Sequence, residues 1–268
     1  MNLLEKIANE LCQKLNVEIP EACVFISGSL LFGDADSFSD IDIAIILPTK
    51  SLAQEDVRAT CEALLRIGSE DLLKSAESTG PCGYQTLSFR YQGVKVDAPI
   101  WAYEELELLL ELQHAGKSVS MTSLLMAEII NKARTPTVKS GLMLWRLKAA
   151  THDFSDELLN ATVKTFRPLI QLDHLRKQIA RNRLPEFYFG LYRDVQLISA
   201  IIAAADRQYF CGLKRPHSLG TKNTWLPEGV GPSWPNTIFQ NKPDAALFLL
   251  ERVIRQIDDH FPIWRPHV

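Results

Sequence analysis

Apolar residues change period partway along this chain. Leu4, Ile7, Leu11 and Leu15 recur at helical spacing, which predicts an opening amphipathic helix that stops before Pro20. The run Phe25-Ile26-Ser27-Gly28-Ser29-Leu30-Leu31-Phe32-Gly33 then reads as an apolar strand ending in Gly-Ser and a loop. A second strand follows in Asp40-Ile41-Asp42-Ile43-Ala44-Ile45-Ile46-Leu47, ended by Pro48. Val57, Cys61, Leu64 and Leu65 mark a helix, with Ser51 as its expected cap and Gly68 at its end. In residues 69–86, Ser69 to Lys74 reads as a short helix and Ser78 to Gly83 as a loop bordering the site. Strands from Thr86 to Tyr91 and from Val94 to Trp101 form a hairpin turned by Gln92-Gly93.

From Tyr103 onward strand signals give way to helical periodicity. Glu104 to Gln113 and Met121 to Lys132 read as helices, the second capped by Ser118 or Ser120, and another runs from Pro136 toward Lys148. A longer helix starts near Ser155 with Leu159, Val163, Phe166 and Ile170 on its buried stripe and a kink at Pro168. Beyond Pro185, Leu191, Val195, Ile198, Ile202 and Ala205 face inward, and Pro243 starts a last helix buried through Ala246, Leu250, Val253 and Ile257. Residues 211–242 show no period; Trp225 and Trp234 in that segment predict packing, as a wall of an acceptor pocket. The pattern predicts an α/β (α+β) domain with a small mixed sheet over residues 1–115, followed by an all-helical domain over 116–268.

Composition narrows the function. The chain has 268 residues and a formal net charge of -3, so nothing draws it globally toward nucleic acid. Five scattered cysteines with no Cys-x-x-Cys pair indicate neither a disulfide framework nor a zinc site, and imply a reducing, cytoplasmic setting. No leader pattern or long uncharged apolar run is present, which predicts a soluble protein without a membrane partner. Gly28 to Gly33 opens like a P-loop, but Asp34-Ala35 stands where Lys-Ser or Lys-Thr is required. Gly-x-Ser-x-Gly is absent, and the six histidines lack paired ligand spacing.

Strand alternation carries the candidate chemistry. Asp40 and Asp42 point to one face while Ile41, Ile43 and Ile45 point to the other, so one face enters a core and the other holds two carboxylates. Paired carboxylates suit Mg2+, which shares its shell with water and substrate phosphates. Gly28 and Ser29 stand where a phosphate tail needs close backbone approach and a hydroxyl. In Val94-Lys95-Val96-Asp97-Ala98 the alternation again puts an acid, Asp97, on one strand face as a third candidate ligand.

Gly-Ser, a second Gly four residues after that Ser, Ser-Asp-Ile-Asp and a later Asp on a hairpin strand resemble the nucleotidyltransferase superfamily that includes DNA polymerase beta. Within it, the chain resembles two-domain bacterial enzymes that adenylylate antibiotics or other hydroxyl-bearing acceptors. The resemblance covers about the first hundred residues, and it implies that the helical domain over 116–268 binds substrate, with the site in the cleft between the two domains. It departs at Phe32, where many relatives carry a basic residue, so no phosphate contact is expected from that side chain.

The resemblance implies transfer of a nucleoside monophosphate, AMP from ATP, to an acceptor hydroxyl with release of pyrophosphate. Asp40, Asp42 and Asp97 would be catalytic and would hold two Mg2+ ions; Gly28 and Ser29 would hold the nucleotide. A further likeness, Ala205 to Phe210 followed by Lys214, adds Lys214 as a nucleotide contact. Some resembling enzymes use a glutamate beyond the third strand as base; Glu104 and Glu105 are nearby, although no motif selects either. A small-molecule acceptor is expected ahead of protein or RNA, for which the basic stretch Arg176, Lys177, Arg181 and Arg183 would be the surface. The other class of reading is a non-catalytic relative that binds nucleotide or neutralises a partner as an antitoxin does. Three converging carboxylates, which repel one another without metal, argue for catalysis instead.

Overall fold

In the computed structural model the described residues are 3–78, 84–134, 138–210, 212–213, 226 and 234–262. The chain divides into two compact units, one of residues 1–112 with 129–152 and the other of 113–128 with 153–268. Residues 129–152 thus group with the first unit, although they lie beyond the composition shift at Tyr103.

The first unit is built on a mixed sheet. Its strands are β1 (Cys23–Ile26), β2 (Ile41–Leu47), β3 (Glu70–Ser78), β4 (Tyr84–Tyr91) and β5 (Val94–Ala102), in the order β1-β2-β5-β4-β3. β2 pairs antiparallel with β1 and parallel with β5, while β4 pairs antiparallel with both β5 and β3. Helices α1 (Leu3–Glu18) and α3 (Gln54–Arg66) flank the sheet, with the short α2 (Gly28–Phe32) between β1 and β2. Leu11 and Leu15 from α1, Leu64 from α3, and Ile41, Ile43 and Ile45 from β2 meet in one fully buried core. That core fixes the outward face of β2, because a one-residue slip would bury its acids and expose its isoleucines. The hairpin between β4 and β5 turns through Gln92 and Gly93 with φ 51° and 78°, the two positive φ values of a type I′ turn. Continuing the chain, α4 (Tyr103–His114) and α5 (Met121–Lys132) precede α6 (Val138–Thr151), and α6 packs on β1.

The second unit is helical. It includes α7 (Asp156–Phe166), α8 (Leu172–Ala180), α9 (Leu184–Ala205), α10 (Trp234–Gln240) and α11 (Pro243–His260). α9 is its axis: α7 and α8 pack against it, and Leu191, Val195, Ile198 and Ile202 are fully buried. Pro185 and Pro243 occupy first turns, where their missing N–H costs nothing. The Ser155 hydroxyl caps α7 by accepting from the Leu158 N–H at 3.0 Å and donates to the His114 carbonyl at 2.6 Å. No helix among the described residues is long and apolar enough to cross a membrane.

Several local expectations are corrected. Ser69 to Lys74 is no helix: the chain enters β3 at Glu70, with Asp71 in the left-handed region (φ 52°) and register shifts beyond it. A bulge of this kind destroys the alternation that announces a strand. Gly28 to Phe32 forms one helical turn rather than a loop. Ser51 does not cap α3; the Asp56 carboxylate accepts the Ala53 N–H at 2.9 Å. At α5, Ser120 and not Ser118 is the cap, exchanging backbone and hydroxyl bonds with Ser123. The long helix from Ser155 is two, α7 and α8, separated by a 3-10 turn at Arg167–Leu169, and Leu158 rather than Leu159 is buried. Within 211–242, α10 is ordered helix with Trp234 fully buried; Trp225 lies outside the described residues.

Candidate active site

β1 and β2 run antiparallel from Cys23 opposite Ile46 to Ile26 opposite Ile43, and the Ser27 N–H continues the ladder to the Asp42 carbonyl at 2.8 Å. The chain must turn away there without lifting off β2. Gly28 does so with φ 59°, in the left-handed region that glycine enters freely. Its missing side chain also makes room for Asp42. A Cβ on Gly28 would stand 1.8 Å from Asp42 Oδ2, 2.4 Å from its Cγ and 2.6 Å from its Cβ. Asp42 therefore lies against the Gly28 backbone, and Ser29 follows in the first turn of α2.

The parallel pairing of β2 with β5 puts Ile41 opposite Val96 and Asp42 opposite Asp97, so those two acids stand abreast on neighbouring strands. Asp40, one residue before β2, shares their face. Lys95 joins the outer pair, donating from Nζ at 2.8 Å to Asp40 Oδ2 and at 2.8 Å to Asp97 Oδ2. The other Asp97 oxygen, Oδ1, accepts the Ser88 hydroxyl at 2.5 Å across the β4–β5 pair. The two carboxylates, Asp40 first, hold Lys95 above the usual ammonium range by stabilising its charged form.

Gly28, Ser29, Asp40, Asp42 and Asp97 thus lie on adjoining strands and the turn between them. Among the described residues no three acids, cysteines or histidines close into a ready-made ion cage. The donor set nonetheless fits Mg2+: it consists of carboxylate oxygens, and a cation, Lys95, is bound between two of them.

Other expected contributors are placed differently. Lys214 lies outside the described residues. Glu104 and Glu105 lie beyond the far end of β5; the Glu104 N–H bonds the Thr49 carbonyl past the end of β2, and Asp97 to Ala102 spans roughly 16 Å of strand. They line an open groove with Tyr103, Glu107, Glu111 and Arg146. Neither is positioned as a base. Burial, reinforced by its bond to Glu107, pushes the Tyr103 hydroxyl up to about 12. Of the basic stretch, Arg176 is engaged by Glu251 at 2.7 Å and Asp173 at 2.5 Å, while Lys177, Arg181 and Arg183 are exposed. Arg207 bonds the Phe154 carbonyl and Asp156, which ties it to the start of α7.

Two features escape a reading of the sequence. Lys95 appears there only as a polar strand residue, because its role depends on the register of β5 with β2. Lys132 Nζ lies 4.8 Å from the centroid of the Phe32 ring, so α5 delivers a cation to the turn that Phe32 ends. One hundred residues separate the two, and no local pattern links them.

Residues 4–75 match the nucleotidyltransferase domain family. No curated protein matches the chain. Among solved structures, a nucleotidyltransferase-like protein from Exiguobacterium sibiricum aligns over 99% of this chain and 81% of its own, at 10% identity and a TM-score of 0.40. The Cid1 poly(U) polymerase with MgGTP bound aligns over 46% of this chain and 44% of its own, at 17% identity and a TM-score of 0.29. A cytoplasmic RNA terminal U-transferase aligns over 44% and 41%, at 17% identity and 0.26. This chain therefore spans less than half the length of the two RNA-directed enzymes. The family match contains the Gly-Ser turn and both acids of β2, so over residues 4–75 the first unit is similar to nucleotidyltransferase domains.

Proposed function

We propose that the protein transfers a nucleoside monophosphate, AMP from ATP, to the hydroxyl of a small-molecule acceptor and releases pyrophosphate. The observation that carries this reading is the pairing of Asp42 with Asp97 on parallel strands, with Asp42 against Gly28 and Asp40 on the same face. A pure binding module has no use for such a concentration of like charge.

Each residue has a part. Asp40 and Asp42 would hold the metal that accompanies the triphosphate, and Asp97 would help hold a second ion. Bound Mg2+ supplies Lewis-acid neutralisation of the attacking and leaving oxygens. Gly28 admits the phosphates close to the backbone, and the Ser29 hydroxyl donates to them. Lys132 adds positive charge near the turn, where Phe32 offers none. The Ser88 hydroxyl holds Asp97 in one orientation through Oδ1 and leaves Oδ2 directed at the site. Catalysis of this type rests on positioning and charge compensation more than on covalent chemistry by the protein.

A small acceptor is favoured over RNA because Arg176 and Arg207 are engaged by acids within their own unit. The test is incubation with each labelled nucleoside triphosphate, Mg2+ and a panel of aminoglycosides, lincosamides, candidate proteins and tRNA. Labelled small-molecule product with ATP is the expected result. Labelled tRNA or protein reassigns the acceptor, and nucleotide binding without pyrophosphate release supports the non-catalytic alternative.

A further inference from the structure

Resting on the metal-site reading above, we infer that Lys95 is a built-in counter-cation of the acid cluster, standing where the ion beside Asp40 and Asp97 binds and yielding to it on loading. The register dictates the arrangement. Ile41 opposite Val96 brings the preceding residues, Asp40 and Lys95, side by side, and Lys95 shares a strand face with Asp97 two residues on. One ammonium then reaches Oδ2 of both acids at 2.8 Å.

This geometry makes ammonium and metal mutually exclusive. With Oδ1 of Asp97 given to Ser88, Oδ2 is the oxygen turned toward Asp40, and Nζ occupies it. A divalent ion on that oxygen would face a positive charge at contact distance, which is repulsive even in a water-like dielectric. Lys95 can leave easily, since its side chain is 48% exposed and its four-carbon stem is flexible. Metal entry is accordingly an exchange of cations. Asp40 and Asp97 are compensated in part without metal, and the ion binds more weakly than it would to a bare carboxylate pair. An ordinary surface ion pair, by contrast, has no bearing on metal affinity.

Two partly exposed pairs at about 0.2 to 1 kcal/mol each correspond to roughly a two- to thirtyfold change in an equilibrium constant. The test titrates Mn2+ into the full, nucleotide-free chain and reads bound ion by electron paramagnetic resonance, for the wild type, Lys95→Met, Lys95→Arg, Asp42→Asn and Asp97→Asn. Melting in chelator checks folding, with Lys95→Gln replacing Lys95→Met if the latter does not fold. The expected result is Mn2+ binding about two- to thirtyfold tighter in Lys95→Met and close to wild type in Lys95→Arg. Equal or weaker binding in Lys95→Met, with binding weakened in Asp42→Asn or Asp97→Asn, overturns the counter-cation alone. Absence of Mn2+ binding in the wild type, or binding indifferent to both acid substitutions, overturns the metal-site reading and this inference with it.

Discussion

Gly28→Ala isolates the contact on which the site depends. Alanine at this position incurs two costs. The first is backbone: φ of 59° places an L-residue in the left-handed region, at about 1 to 2 kcal/mol. At about 2 to 4 °C per kcal/mol for a chain of this size class, melting should fall by roughly 2 to 8 °C. The second is steric. The new methyl begins 1.8 Å from Asp42 Oδ2 and must open to about 3.4 Å, a displacement of about 1.6 Å (3.4 − 1.8). A rotamer change does not suffice, because Asp42 Cβ, fixed to β2, is itself only 2.6 Å away. The turn must therefore lift from the strand, stretching the 2.8 Å bond from the Ser27 N–H to the Asp42 carbonyl. A misplacement of about 1 Å at a reacting centre can cost on the order of a hundredfold in rate. Gly33→Ala is the control: φ is 78°, but nothing lies within 4 Å of its added Cβ. Both variants should melt lower than wild type, Gly28→Ala by at least as much as Gly33→Ala, and only Gly28→Ala should lose about two orders of magnitude in nucleotidyl transfer. Equal activity in the two, near wild type, would refute the assignment of Asp42 and Gly28 to one site.

Other outcomes follow from the same structure. Asp97→Asn should leave Mg-ATP affinity within a few-fold of wild type by calorimetry while turnover collapses, since the first pair of acids already serves the triphosphate; normal turnover would make Asp97 a surface residue. Ser155→Ala should destabilise the helical unit by about 1 kcal/mol in a denaturant titration, through loss of the α7 cap, and no change would refute the cap. Burial pushes the Cys12 and Cys23 thiols up to about 12, so the folded chain retains protons that the unfolded chain releases near the ordinary thiol value. Stability should fall as pH rises from about 9 toward 12, and replacing both residues with alanine should flatten that slope; an unchanged slope would contradict their burial as its cause.

What the sequence disclosed depended on how local each feature is. The face of β2 was legible because Ile41, Ile43 and Ile45 alternate with acids, and the hairpin because Gln92-Gly93 carries the turn chemistry. β3 was hidden: it is an edge strand whose irregular Asp71 breaks the alternation, and charged Glu70-Asp71 beside Leu72-Leu73 imitates a helix turn. α10 was hidden among prolines, although the burial of Trp234 matches the packing its segment implied. In the proposed site, Asp40 and Asp42 stand two residues apart, so their shared strand face could be read from the sequence. The pairing of Asp42 with Asp97, the Lys95 bridge and the placement of Lys132 on Phe32 arise only when distant segments come into register, which no short window contains.

The central claim, that the acids of β2 drive metal-dependent nucleotidyl transfer, is tested most directly by pyrophosphate release from ATP in the presence of Mg2+ and the acceptor panel, comparing the wild type with Asp42→Asn. Asp42 is half-buried on a polar strand face, so the substitution removes the charge proposed to hold the metal without removing a core contact. The account predicts release by the wild type that stops when Mg2+ is chelated, and none above background from a folded Asp42→Asn. Release from Asp42→Asn at the wild-type rate, with unchanged Mg2+ dependence, would contradict it.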